Sequence, residues 1–263
     1  MFRGSPADVY WGQSPGALAY LAAKDLLAPL PSSVIGRVAP RYRDPARRWV
    51  GISGRQRVLV YNTDLVEEAQ LPDSVLDLTR PAFAGKVGLA PTNGSFQDFV
   101  TGMRVLEGED VARNWLEAMV ANDVRTYANN GAIVEAVGRG EVAMGLVNHY
   151  YNFRFKAEDP GLPTRNHQFA AGDVGGLVIP SSVSVLAGSS KKDDAERLIA
   201  FLLSADAQSY FATETFEYPL AEGVSAVSGV PPLASLRPPA GERIDRLGDI
   251  EGTGKLIAAS GLN

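Results

Sequence analysis

Short apolar runs alternate with amphipathic stretches along this chain. Residues 7–11 read as a buried strand, and residues 16–25 behind them as a helix. Residues 57–61 are apolar and β-branched, the composition of a strand, and residues 87–90 form another that ends in the turn Pro91-Thr92-Asn93-Gly94-Ser95. Over residues 109–121 the period becomes helical, with Val111, Trp115, Leu116 and Met119 on one face. A short helix follows at 132–138, a strand at 142–147 and a helix at 148–158. Strands are expected at 177–179 and 183–187. The clearest helix spans 192–204, where Ala195, Leu198, Ile199 and Leu202 recur at helical spacing. The Pro-rich stretch 230–239 reads as a surface crossing, and a last helix covers 250–260.

Strands that alternate with helices predict an α/β architecture built on mostly parallel sheets. No internal repeat appears and no Ser/Gly linker divides the chain, so two lobes would have to be joined by strands that cross between them. The length, 263 residues, allows one large domain or two modest ones, and 45% hydrophobic with 21% charged residues is a globular balance.

Charge and special residues narrow the function. The net charge of −5 and the lack of a basic stripe argue against nucleic acid as a partner. Arg41, Arg43, Arg47, Arg48 and Arg55 form the densest basic stretch, either a solvated loop with ion pairs or, for one or two of them, an anion contact. With no cysteine, thiolate zinc sites and Cys nucleophiles are excluded, and His149 and His167 are too few for a His-rich metal site. No Gly-x-Ser-x-Gly elbow or P-loop occurs. Ser189-Ser190-Lys191-Lys192 matches Ser-x-x-Lys in form, but with no companion motif it reads as a helix start. The opening Met1-Phe2-Arg3-Gly4 lacks the apolar segment of a signal peptide.

Three strand-to-helix turns carry the candidate chemistry. Asn148-His149-Tyr150-Tyr151 follows one strand and opens a helix, a place where α/β folds bind ligands. Two adjacent phenols, ionising only near pH 10 in water, suit a hard trivalent cation that displaces the proton, and Fe³⁺ is the biological candidate. Thr92-Asn93-Gly94-Ser95-Phe96 is a small polar turn that presents backbone N–H groups to an anion, or simply an N-cap. Tyr127-Ala128-Asn129-Asn130-Gly131 has the same two readings.

These residues resemble a family. The runs Ser5-Pro-Ala-Asp-Val-Tyr-Trp-Gly-Gln-Ser and Ser53-Gly-Arg-Gln-Arg-Val-Leu-Val-Tyr-Asn, the three turns above and Glu217-Tyr-Pro-Leu look, in the same order, like the periplasmic ferric-ion-binding proteins of bacterial iron ABC importers. The resemblance implies a type II periplasmic-binding-protein fold, two α/β lobes joined by crossing strands, with lobe 1 over 1–55 and 180–231 and lobe 2 over 56–179 and 232–263. It implies that Tyr150 and Tyr151 are the phenolate ligands of Fe³⁺. Asn93, Gly94, Ser95, Asn130 and Asn148 would hold a synergistic anion, phosphate or carbonate, with Gln13 and Arg55 as further contacts. Where relatives often carry a glutamate ligand just before the glutamine, this chain has Gly12. It also implies that roughly fifty to sixty residues of a first strand region, with a histidine ligand, precede the chain.

The expected activity is therefore capture of ferric iron outside the cytoplasm, in the periplasm or anchored at the cell surface, and delivery to an ABC permease, by a monomer without catalytic turnover. A binding protein for a small oxyanion or organophosphonate without iron is the alternative. A hydrolase or transferase on an α/β scaffold is disfavoured, because no nucleophile, base and orienting group come together in the sequence.

Overall fold

The longest strand is visible in the apolar pattern only in its second half. In the computed structural model, which describes residues 6–241 and 246–262, β3 (Val50–Asn62) runs for 13 residues and is buried throughout. Its first half carries Gly51, Ser53, Gly54 and Arg55, so polarity hides a strand whose second half the Val-Leu-Val run reveals. The opening Met1–Gly4 stretch lies outside the described residues.

The described residues form two units. Unit 1 takes residues 6–55, 179–235 and 246–249, and unit 2 takes 56–178, 236–241 and 250–262. The divisions fall at 178/179 and 235/236 rather than at 179/180 and 231/232. Residues 246–249 also return to unit 1 instead of staying with the second lobe, because Gly248 lies against Ala19 at a spacing that leaves a Cβ only 3.1 Å from it.

Unit 1 contains β1 (Val9–Gly12), α1 (Pro15–Ala23), β2 (Leu27–Ala28), α2 (Ser32–Ile35), the first part of β3, and most of β8 (Val178–Leu186). It is completed by α7 (Lys192–Leu202), α8 (Ala205–Thr213) and β9 (Tyr218–Pro219). Both β1 and β2 pair antiparallel with β8, and β9 pairs antiparallel with β3. The two strands expected at 177–179 and 183–187 are one, β8, passing through Pro180. The ladder to β1 uses Ser182–Val185, so the proline's missing N–H falls outside it. Ser189 Oγ accepts from the Lys191 amide at 3.0 Å and donates to Asp8 at 2.7 Å, the local turn that precedes α7. Leu198 departs from the expected stripe. Ala195, Ile199 and Leu202 are buried, whereas Leu198, about 100° round the helix from Ile199, is 43% exposed.

The arginine stretch is mostly a set of internal staples. Arg43 donates to the Ile35 carbonyl at 2.9 Å, Arg47 to Ser32 at 3.0 Å, and Arg48 to the Ala22 carbonyl at 3.1 Å while pairing with buried Asp44 at 2.6 Å. Arg41 lies over the Tyr42 ring, 5.4 Å from its centre.

Unit 2 holds the second part of β3 with β4 (Val87–Leu89), α3 (Gly94–Leu106), α4 (Glu109–Ala121), β5 (Arg125–Thr126) and α5 (Asn130–Gly138). Then follow β6 (Met144–Asn148), α6 (His149–Glu158), β7 (Thr164–His167) and α9 (Ile250–Ala259). Its strands lie in the order β7-β3-β6-β4-β5. Only β5–β4 and β4–β6 are parallel; β3 runs antiparallel to β6 and β7. The expectation of mostly parallel sheets therefore holds only for these pairs. Strands β3 and β8 each pass from one unit to the other, which is not the helical crossover that parallel neighbours require.

The unit 2 core places the functional turns. Val58, Val60 and Val147 from the sheet pack against Ile133, Val134, Ala136 and Val137 of α5. Gly145 makes this possible: a Cβ there would stand 2.2 Å from Ile133 Cγ2, so only glycine lets α5 lie so close to the sheet. On the other flank Phe96, Phe99 and Trp115 form an aromatic cluster, and Thr101 of α3 meets Thr253 of α9 at 2.7 Å.

Candidate anion and metal centre

Strands β5, β4 and β6 run parallel, so their carboxyl ends deliver three turns to one edge of the unit 2 sheet. After β4 comes Asn93, the N-cap of α3. Its side-chain oxygen accepts from the Ser95 amide at 3.0 Å and from Ser95 Oγ at 2.7 Å. After β5 comes Asn130, buried at the start of α5, whose cap is Asn129. Asn148 ends β6 and occupies the N-cap position of α6.

One residue binds these turns together. The antiparallel register sets Arg57 opposite Asn148, so the first arginine of the unit 2 half of β3 reaches the same edge. Arg57 is 1% exposed. Its Nη1 donates to Asn148 Oδ1 at 3.1 Å, Ser95 Oγ at 3.3 Å and Asn130 Oδ1 at 3.4 Å. Its guanidinium lies 5.7 Å from the centre of the Phe99 ring. Asn130 Nδ2 in turn donates to Ser95 Oγ at 3.0 Å and Asn93 Oδ1 at 3.4 Å. A buried cation is thus surrounded by hydroxyl and amide groups that stay uncharged at neutral pH. Each of these groups carries a hydrogen-bond donor as well as an acceptor.

Asn148 is informative for what its side chain does not do. Asparagine at this position ordinarily accepts from the second or third helical amide. Here no side-chain cap bond forms, and the oxygen is committed to Arg57. The first turn of α6 therefore keeps its positive end uncovered by its own cap, and that turn carries Tyr150 and Tyr151. The two rings stack with centres 4.4 Å apart and planes 27° from parallel. Tyr150 is buried, whereas Tyr151 is half-buried against the α5 core. Beside them His149 is buried, accepts the Gln56 amide on Nδ1 at 3.1 Å, and meets the Tyr150 ring edge-on. Its Nδ1 is thereby engaged in holding the unit 2 end of β3 rather than turned to a ligand.

The sequence candidates are thus distributed as follows. Asn93, Ser95, Asn130 and Asn148 share one hydrogen-bond network, with Gly94 at its edge, where a Cβ would meet nothing within 4 Å. Tyr150 and Tyr151 lie two and three residues after Asn148, past His149. Gln13 and Arg55 belong to unit 1 and form a pair of their own, the guanidinium of buried Arg55 donating to the Gln13 carbonyl. Tyr127 has a different role. Its ring covers Gly88, and burial pushes its phenol up while Arg125 of β5 and Glu141 and Arg139 from the turn between α5 and β6 act on it. Arg57 escaped the sequence reading. The available signal was a charged residue at the head of an apolar strand, where burial demands partners.

Among the described residues no three His, Cys, Asp or Glu side chains cluster as a metal site. The phenols that follow the network in sequence are those of Tyr150 and Tyr151.

Comparison with known proteins agrees with this architecture. The bacterial extracellular solute-binding protein family matches residues 5–245. The major ferric iron-binding protein of Neisseria meningitidis is 36% identical over 239 residues, covering 89% of this chain and 72% of that protein. The crystal structure of iron-bound HitA from Pseudomonas aeruginosa superposes with a TM-score of 0.92 at 35% identity, over 98% of this chain and 84% of that one. The Trichodesmium protein IdiA (FutA), solved in complex with iron and citrate ligands, gives a TM-score of 0.88 at 26% identity, over 100% of this chain and 85% of that one. The fold is that of the type II periplasmic ferric-binding proteins, and the chain belongs to the bacterial extracellular solute-binding protein family.

Proposed function

We propose that this chain captures ferric iron outside the cytoplasm as a monomer and delivers it to an ABC permease. Tyr150 and Tyr151 are the phenolate ligands, and a small oxyanion, phosphate or carbonate, completes the coordination. The observation that carries this reading is the junction of the two features at the start of α6, where the Asn148 side chain joins the Arg57 network and the phenols follow two and three residues on. Iron is the cargo, and the family and the names of its relatives support that choice.

The chemistry is consistent with the charge balance. Two phenolates neutralise two of the three positive charges of Fe³⁺, and an oxyanion supplies the remainder. Arg57 favours the anion; the Ser95 hydroxyl and the Asn130 and Asn148 amide nitrogens are the further donors, and the Gly94 position leaves room for its approach. Gln13 and Arg55 are proposed as further anion contacts.

Adding ferric citrate to the protein should produce a visible phenolate-to-iron absorption band. Tyr150→Phe and Tyr151→Phe should each abolish it while leaving the melting temperature of the iron-free protein within a few degrees. Phe keeps the stacked packing and removes only the oxygen. A colourless parent protein, or colour retained in both variants, sinks the iron reading. Binding of phosphate alone by a colourless protein would instead favour an oxyanion carrier.

A further inference from the structure

Unit 2 carries a second concavity, at the end of its sheet away from the three turns. Strands β4 and β6 run parallel with Val87 opposite Met144, so their first residues share one edge and their last residues the other. The turns of the anion network follow the last residues. Lys86 and Ala143 precede the first ones, and with Met144 they line a cavity of about 610 Å³ whose remaining wall is drawn from residues 65–83. That volume falls in the range of small-molecule sites, about 300–1,000 Å³.

The lining suits an amphipathic ligand. Val66, Phe83 and Met144 are buried and make an apolar floor, to which exposed Leu65 adds. Asp73, Asp77, Arg80 and Lys86 line the same cavity, two carboxylates and two cations. Arg80 reaches Asp77 only at 3.8 Å, beyond hydrogen-bond distance. Lys86 donates to the Ala82 carbonyl at 2.9 Å, one of its three N–H groups. Exposed ion pairs of this kind contribute little to the fold, so their members turn to a ligand at small cost.

The wall is held in place by the protein itself. Asn122 donates to the Leu78 and Arg80 carbonyls at 2.9 and 3.0 Å, and the Trp115 indole donates to the Val75 carbonyl at 3.0 Å. The Ala170 amide donates to the Asp73 carbonyl at 2.7 Å. The backbone around the cavity is thus ordered before binding, which lowers the entropic cost of association.

We infer that this cavity binds a small zwitterion with an apolar body, the chemistry of a free dipeptide of apolar residues. Arg80 and Lys86 take the carboxylate, Asp73 and Asp77 the ammonium, and the side chains lie on Leu65, Val66, Phe83 and Met144. Two charges of each sign favour a ligand that carries both, whereas a simple anion or cation would leave one pair uncompensated. The inference is independent of the iron reading, since no residue of the Arg57 network lines this cavity.

The test uses the full chain and the dipeptide Leu-Leu, followed by calorimetry and by the methyl signals of the methionines. Met144 lines the cavity, whereas Met103 and Met119 are buried in α3 and α4. Leu-Leu should bind with a dissociation constant below about 1 mM and shift the Met144 methyl, leaving those of Met103 and Met119 in place. N-acetyl-Leu-Leu, which lacks the ammonium, and Leu-Leu amide, which lacks the carboxylate, should each bind at least tenfold more weakly. Arg80→Gln and Asp73→Asn, both at exposed positions, should each weaken Leu-Leu several-fold with the melting temperature unchanged. The double variant Tyr150→Phe/Tyr151→Phe should bind Leu-Leu like the parent. No binding at about 10 mM, a methyl shift confined to Met103 or Met119, or capped dipeptides that bind as tightly as the free one overturns the inference. So does parent-like affinity in both charge variants. Loss of Leu-Leu binding in the tyrosine variant would place the probe at the iron site and overturns it as well.

Discussion

Arg55 and Arg57 lie two residues apart on one strand, both are buried, and they belong to different units. Their company differs. Arg55 donates to a single backbone carbonyl, that of Gln13. Arg57 joins three turns from three separate strands through Ser95, Asn130 and Asn148. Burial of a guanidinium is costly unless its donors are satisfied, so both positions need partners, but only one of them organises a site. Composition alone cannot separate the two arginines. The register does, because it sets Arg57 opposite Asn148 at the end of β6.

That comparison is best broken by removing each guanidinium in turn. Arg57→Met should have the largest effect. It strips the common donor from three side-chain oxygens, at a cost of about 2–4 kcal/mol in unfolding free energy. It should also suppress iron uptake at any anion concentration. Arg55→Met should cost about 1–2 kcal/mol, since only one carbonyl loses its donor. Its iron affinity tests the anion role assigned to it: a drop that added phosphate or carbonate reverses supports that role, and an unchanged affinity removes it. Chemical denaturation and titration with ferric citrate check both variants. If the two variants cost the same stability and the same iron, the distinction drawn here collapses.

Asn130→Ala sharpens the picture from the other side of the network. It removes one acceptor of Arg57 and the donor to Ser95 and Asn93, leaving the phenols untouched. Iron affinity should fall roughly tenfold, equivalent to about 1.4 kcal/mol, and high phosphate or carbonate should recover part of it. A loss that no anion concentration relieves would assign Asn130 to the fold alone.

Much of this site was legible before any coordinates. Strand-to-helix turns announce themselves through short apolar runs that end in Asn, Ser and Gly, and the parallel order of β5, β4 and β6 then gathers them. What stayed hidden follows from the same rule. The first half of β3 is polar or glycine at Gly51, Ser53, Gly54 and Arg55 yet fully buried, so period and hydropathy gave no sign of it. Helix α8 was missed because its buried set, Ala207, Gln208, Phe211 and Ala212, is small or polar. Leu198 shares the helical spacing of Ala195, Ile199 and Leu202 but is exposed, because helical spacing admits two adjacent stripes and only packing decides which faces inward. The role of Arg57 needed the antiparallel register, a property of two strands that no single segment encodes.

The smallest expected effect concerns a charge pair of unit 1, Asp44 with Arg48. Burial of Asp44 would raise its carboxyl, but the hydrogen bonds and charge of Arg48 outweigh that and hold it below the usual carboxylate value. The pair closes the turn between η-helical residues Pro40–Tyr42 and β3, and Arg48 also reaches the end of α1 through the Ala22 carbonyl. A folded-state value below the unfolded one means that the pair contributes stability above the unfolded carboxyl value. That contribution is lost as pH falls through the folded one. The window is therefore acidic, beginning near pH 4 and extending downward. Asp44→Asn should flatten the acid limb of the stability profile by about 1 kcal/mol or less and leave neutral-pH iron binding intact, because both partners belong to unit 1 and the Arg57 network to unit 2. Urea unfolding at a series of pH values checks this. A variant whose acid limb keeps the parent's slope would show that other carboxylates carry it.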